Sequence, residues 1–241
     1  MLQVATDHAA VQSLREGIVI IAVDRPGFGN SSAPNARPEL LDVARDLASA
    51  ASALKLSRWS VTGYSAGGPF ALALASLAPA GLQRVALIAS PWAWGVGQQR
   101  GALRRITGEA CGPLIPWLFL GLVGLGLGPG LLERAGVGPE LAEPLSRSMR
   151  RYLQPGAWAA GWESYLMGGG RPAGFGLGDV RVDVEIFFGT LDHQVAPEHA
   201  QRLAAGLPRN RLHELEGDHY SISRHSAAIF WAAAQGSGPQ C

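Results

Sequence analysis

The sequence predicts an α/β protein with a mostly parallel, doubly wound sheet. Two observations carry this: short apolar runs alternate with helix-period stretches, and several of those runs end in glycine-bearing turns. Strands covered by helices on both faces never meet water, so they read as unbroken hydrophobic segments rather than as alternating ones.

The elements follow in order. Ile-Val-Ile-Ile-Ala-Val at 18–23 predicts a buried strand. After Pro38, residues Leu40, Ala44, Leu47, Ala51 and Leu54 share one helical face while Asp42, Arg45 and Asp46 fall elsewhere, which predicts a helix packed on the sheet. A short strand at 59–62, an Ala/Leu-rich helix at 66–77 and a strand at 85–89 come next. Two more strands are expected at 182–188 and 211–215, with helices at 198–205 and 227–234. The Gly/Pro-rich tail 235–241 reads as frayed.

About ninety residues separate the strands at 85–89 and 182–188, far more than one crossover helix requires. The expected organisation is therefore a core of 1–91 and 181–241 with a helical lid inserted at 92–180. Residues 110–132 carry no charge. Pro113, Pro116, Pro129 and several glycines interrupt that stretch, and sheet strands lie on both sides of it, so it predicts an apolar lid capable of peripheral lipid contact rather than a membrane span. Trp92, Trp94, Trp117, Phe119, Trp158, Trp162, Tyr165 and Phe175 crowd the insertion. They either form its own core or line an apolar pocket, and the sequence leaves both open.

Composition narrows the partners. The 241 residues are 47% hydrophobic and hold 20 basic against 19 acidic side chains, so a large core is available and no charge footprint invites nucleic acid. A small neutral or apolar partner is expected, and nothing fixes an oligomeric state. Cys111 and Cys241 make neither a disulfide framework nor a metal quartet, which points to a reducing compartment. Asp7, Arg15 and Glu16 interrupt what would be a secretory apolar region, so cytoplasmic residence is expected.

The chemistry concentrates at Gly63-Tyr64-Ser65-Ala66-Gly67-Gly68, which has a predicted strand before it and a helix after it. A chain that turns sharply from strand to helix lifts the serine above the carboxyl end of the sheet, and small residues at 63, 67 and 68 avoid clashes across that turn. The first turn of the helix would present the Ala66 amide to a developing oxyanion. A serine hydroxyl needs a histidine to accept its proton, and the histidine needs a carboxylate to fix its tautomer. Asp192 follows the strand at 182–188 in Gly189-Thr190-Leu191-Asp192, and His219 follows the strand at 211–215 in Gly217-Asp218-His219. Both therefore stand in loops at the carboxyl ends of strands, as Ser65 does. His193, His199, His213 and His225 read as solvated or structural, and Asp218 as a turn residue.

With these residues placed, the chain resembles the α/β-hydrolase superfamily, specifically its lidded members with an Asp-Arg-Pro-Gly-Phe-Gly-x-Ser stretch, here Asp24 to Ser31. The resemblance implies Ser65 as nucleophile, His219 as general base, Asp192 as its orienting acid and no cofactor. The expected activity is that of a serine hydrolase, a carboxylic-ester hydrolase in type, cleaving an ester, amide or thioester of a small apolar acyl compound. Members of the family carry two or three further strands and a His-Gly oxyanion loop before the Asp-Arg-Pro-Gly turn, and here residues 1–16 alone precede the first strand. The resemblance thus also implies an N-terminally shortened chain, with impaired activity or a binding role as the alternative. In such a chain the segment 18–23 either moves over to pair with 59–62 or leaves a groove.

Overall fold

The computed structural model describes residues 17–34, 36–92, 118, 122, 125–134, 137–153, 159, 161–163, 166 and 172–235. Among them the strands β1 (Trp59–Tyr64), β2 (Leu82–Ile88), β3 (Asp183–Gly189) and β4 (Asn210–Leu215) form one sheet in the order β1-β2-β3-β4. Every neighbouring pair is parallel. The helices are α1 (Leu40–Ala53), α2 (Gly68–Ser76), α3 (Gly128–Arg134), α4 (Pro139–Leu153), α5 (Glu198–Gly206) and α6 (Ser226–Gln235).

The sheet is covered on both faces at its centre, where β2 and β3 are apolar on both. Val85 and Leu87 of β2 and Val184 and Ile186 of β3 meet Ala71, Leu72 and Ala75 of α2 and Ala200 and Leu203 of α5. The alternate residues Ala86, Ile88 and Phe187 face Ile229, Ala232 and Ala233 of α6 on the other side. A side chain such as Leu87 or Ile186, both essentially inaccessible, contributes about 1.5–3 kcal/mol by leaving water. This double layer is the architecture expected from the sequence, and four of the five expected strands form within a few residues of their forecast bounds.

The fifth does not. Residues 18–23 form no strand, and Val19, Ile21 and Val23 are 79%, 47% and 44% exposed. The expectation of a buried strand there is corrected, and of the two alternatives offered for it the pairing with 59–62 does not form: among the described residues β1 is bonded to β2 alone. An apolar run becomes a buried strand when a neighbour offers a ladder and helices cover its faces, and among the described residues this run has no ladder.

By compactness the chain divides into two units. The unit just described holds the sheet and comprises Ala9–Ile20, Pro38–Trp94 and Ala173–Cys241. The second comprises Met1–His8, Ile21–Arg37 and Gly95–Pro172, with α3 and α4 among its described elements. Within it Asp24 to Ser31 is a compact turn: the Ser31 hydroxyl donates to the Asp24 carbonyl at 2.7 Å, and the Phe28 N–H to the Arg25 carbonyl at 3.0 Å. Arg25 donates from Nε and Nη2 to both oxygens of the buried Glu163, at 2.6 and 2.7 Å, a forked pair fixed in direction as well as distance. Trp162 is buried against Leu166, and the Arg37 guanidinium stands 5.2 Å from the centre of its ring.

Of the aromatic residues noted in the insertion, Trp92 and Phe175 pack in the sheet-face core with ring centres 5.8 Å apart. Trp92 and Trp162 are buried and Phe175 half-buried, whereas Trp94, Trp117, Phe119, Trp158 and Tyr165 lie outside the described residues, as do Cys111 and Cys241. Pro129 occupies the first turn of the short helix α3. No helix among the described residues is long and apolar enough to cross a membrane, and most of 110–124 lies outside them.

Candidate active site

The chain leaves β1 with Tyr64 in extended backbone, then Ser65 takes φ +48°, and a 3-10 turn over Ser65–Gly67 leads straight into α2. A left-handed non-glycine residue costs about 1–2 kcal/mol, so the strand-to-helix turn holds Ser65 in a strained conformation. Gly63 is required here, since a Cβ on it would stand 2.7 Å from the Gly67 carbonyl oxygen and from the Gly68 Cα. Gly68 is required too, because a Cβ there would overlap the side chain of Ser90. Gly67 differs from expectation: its backbone is ordinary right-handed helix and a Cβ would meet nothing within 4 Å. The steric demand of the turn therefore falls on 63 and 68. Ala66 sits in the 3-10 turn directly after the serine.

The two other expected residues arrive from the ends of β3 and β4. The His219 ring lies 3.0 Å from Ser65 Oγ through Nε2 and 2.9 Å from Asp192 Oδ2 through Nδ1. His219 and Asp192 are buried, at 5% and 3% exposure, so this chain of contacts is screened little by solvent. Burial pushes the Asp192 carboxyl up, but hydrogen bonds from His219 and from the Val195 and Gln194 amides outweigh it and hold the group below its ordinary value. An ionised carboxylate only accepts, so His219 donates from Nδ1 and is left with a basic Nε2 facing the Ser65 hydroxyl.

The loops that bring these groups together are tied by main chain beyond the strands themselves. Thr190 N–H donates to the Leu215 carbonyl and Leu191 N–H to the Gly217 carbonyl, both at 3.0 Å, which continues the β3–β4 pairing to within one residue of Asp192. Asp218 is a turn residue as expected: its Oδ1 accepts from the Tyr220 and Ser221 amides at 2.9 and 2.8 Å.

The remaining histidines fall where the sequence put them. His213 Nε2 lies 2.6 Å from the buried Glu185 carboxylate, and its ring stacks on Phe187 at 4.4 Å. His199 Nδ1 is 3.1 Å from the Trp92 carbonyl, and His225 lies beside Arg224 and the Glu216 carbonyl. His193 is exposed.

Sequence reasoning missed two residues of this neighbourhood. Ser90, just past β2, donates its hydroxyl to the Gly63 carbonyl at 2.9 Å and so braces the strand that ends at the elbow. Tyr64 was noted for its place in the turn, not for its contact with His219, to whose carbonyl its hydroxyl donates at 2.5 Å. No local pattern signals either, because each bond depends on which strands become neighbours. Among the described residues no group of His, Cys, Asp and Glu could hold a metal ion.

Comparison with known proteins bears on the same fold. A family model described as alpha/beta hydrolase fold matches residues 7–225. No curated protein sequence matches. Among solved structures, a hydrolase from Pseudomonas aeruginosa PA01 is 24% identical with a TM-score of 0.68, over 96% of this chain and 83% of that one. The esterase EaEST from Exiguobacterium antarcticum is 19% identical with a TM-score of 0.68, over 95% and 86%. A bromoperoxidase from Bacillus anthracis is 17% identical with a TM-score of 0.67, over 94% and 83%. At such identities the likeness is one of fold.

Proposed function

Since the chain belongs to the alpha/beta hydrolase fold family, we propose that it is a serine hydrolase in which Ser65 is the nucleophile, His219 the general base and Asp192 the acid that orients it. The observation that supports this most is the unbroken run of contacts from Ser65 Oγ through both nitrogens of His219 to a carboxylate held ionised by two backbone amides. Three loops distant in sequence have no packing reason to place those three groups in that order.

The reaction follows from the groups. His219 Nε2 takes the hydroxyl proton as Ser65 Oγ bonds to the carbonyl carbon of the substrate, and the carbonyl oxygen becomes an oxyanion within reach of the Ala66 amide at the start of the helical turn. The imidazolium, stabilised by Asp192, returns the proton to the departing alkoxide, amine or thiolate as the bond to it breaks. Water then repeats the sequence on the acyl-enzyme: His219 accepts its proton, and the acid leaves with Ser65 restored. The strained φ at Ser65 holds Oγ toward the imidazole throughout.

The substrate class is an ester, amide or thioester of a small apolar acyl group, a choice supported by the near-neutral chain and its uncharged stretch at 110–132. The test is turnover of a series of p-nitrophenyl esters with acyl chains of increasing length. Release of nitrophenol by wild type, abolished by Ser65→Ala, supports the proposal. A folded wild type inert toward the whole series and toward matched thioesters and amides argues against it.

A further inference from the structure

We propose that Tyr64 is a positioning residue for His219, holding the imidazole on Ser65 through the main chain of the histidine itself. The inference rests on the serine-hydrolase reading and deepens it, since it gives the residue before the nucleophile a task in proton transfer.

Adjacent residues of one strand end grip His219 at two points. Ser65 Oγ meets the ring at Nε2, while the Tyr64 hydroxyl donates to the His219 carbonyl oxygen at 2.5 Å. The two rings lie 5.3 Å apart at 40°, so Tyr64 also packs beside the imidazole it tethers. Other bonds in that loop act on the residues around His219: Leu191 N–H reaches the Gly217 carbonyl, Asp218 Oδ1 takes the Tyr220 and Ser221 amides, and Ser221 Oγ accepts from the Asp218 amide. The Tyr64 bond acts on the peptide of His219 directly. Burial, followed by the charges at Tyr220, Asp192 and Asp218, raises the phenol well above its ordinary value, so the hydroxyl keeps its proton and stays a donor wherever His219 works as a base.

The consequence concerns alignment. With Ser65 and His219 both fastened to Tyr64, a shift of the elbow carries the imidazole along, and the distance from Oγ to Nε2 is conserved through the motion. Without the hydroxyl, the His219 carbonyl loses that partner, and the ring is set by its side-chain contacts and by the loop bonds to the neighbouring residues. Misplacement of a reacting group by about 1 Å can cost a hundredfold in rate.

The experiment compares wild type, Tyr64→Phe and Tyr64→Leu by steady-state turnover of a p-nitrophenyl acyl ester, with circular dichroism to verify folding and NMR of the His219 ring. Tyr64→Phe keeps the ring and removes only the donor, so kcat is expected to fall about 10–100-fold with KM within about twofold, and the His219 Nδ1 proton signal to broaden or shift. Tyr64→Leu is expected to lose at least as much. A residue that served stability alone would lower the unfolding midpoint and leave kcat and the ring signal in place. Wild-type kcat and an unchanged ring signal in folded Tyr64→Phe overturn the proposal. An inert wild type whose His219 signal still changes in Tyr64→Phe refutes the hydrolase reading and supports the positioning contact. If neither variant folds, wild-type NMR decides: a slowly exchanging Tyr64 hydroxyl proton close to the His219 backbone supports the tether, and its absence overturns it.

Discussion

The main chains at Gly189 and Gly217 approach so closely that a Cβ on Gly189 would overlap the Gly217 carbonyl oxygen. Gly217 also takes φ +145°, a backbone region open essentially to glycine. These two residues open the loops that carry Asp192 and His219, so their contact sets how near the carboxylate and the imidazole can come.

Gly189→Ala is therefore expected to push the two loops apart at a point where the obstacle is backbone and cannot rotate away. Overpacking of this kind costs about 1–3 kcal/mol. Urea unfolding should show that loss, and ester turnover should fall further than the stability change explains, because the Asp192–His219 contact lengthens. Unchanged stability and turnover would contradict the geometry.

The elbow glycines separate in the same way. Gly67→Ala meets open space in a helical backbone, so stability should be unchanged or raised by about 0.4–1 kcal/mol. Gly63→Ala faces the Gly67 carbonyl and Gly68 Cα and should lose about 1–3 kcal/mol together with activity. Thermal unfolding of the two variants side by side checks the ordering.

Asp192 and Asp218 both lie below the ordinary carboxylate value when folded. At Asp218 too, burial raises the carboxyl, and the bonds from Ser221 and Tyr220 outweigh it. The unfolded chain titrates these groups near about 4, so between that value and the folded one the unfolded state binds more protons. Their contribution to stability is complete above about pH 4 and is lost as pH falls through the folded pKa. Urea midpoints measured from pH 5 downward should drop more steeply for wild type than for Asp192→Asn.

Glu185 is 4% exposed, and its carboxylate meets His213 Nε2 across the β3–β4 pairing. His213→Ala should leave a buried carboxylate unpaired and destabilise by about 3 kcal/mol. Adding Glu185→Leu should restore part of the loss, and a double-mutant cycle on unfolding free energies measures the coupling.

Much of this was legible in the sequence because each site residue announces itself locally. Ser65, Asp192 and His219 each follow a predicted strand and a glycine, and three loops at the same ends of parallel strands must share one rim of the sheet. The segment 18–23 failed for the complementary reason. Its composition is that of a buried strand, but burial is decided by a ladder partner, which no local pattern encodes. The Arg25–Glu163 pair, 138 residues apart, and the Tyr64–His219 bond, 155 apart, were invisible on the same ground. Gly67 shows the opposite error, a motif position credited with a steric role that Gly68 performs.

The central claim is that the Ser65 hydroxyl is made nucleophilic by His219. Exposure to a fluorophosphonate, followed by intact-mass and peptide analysis, tests it most directly. A single adduct mapped to Ser65, absent from Ser65→Ala and slowed at least about a hundredfold in His219→Gln, is the predicted result. A folded wild type that takes up no label, or an adduct on another residue that persists in Ser65→Ala, would contradict it.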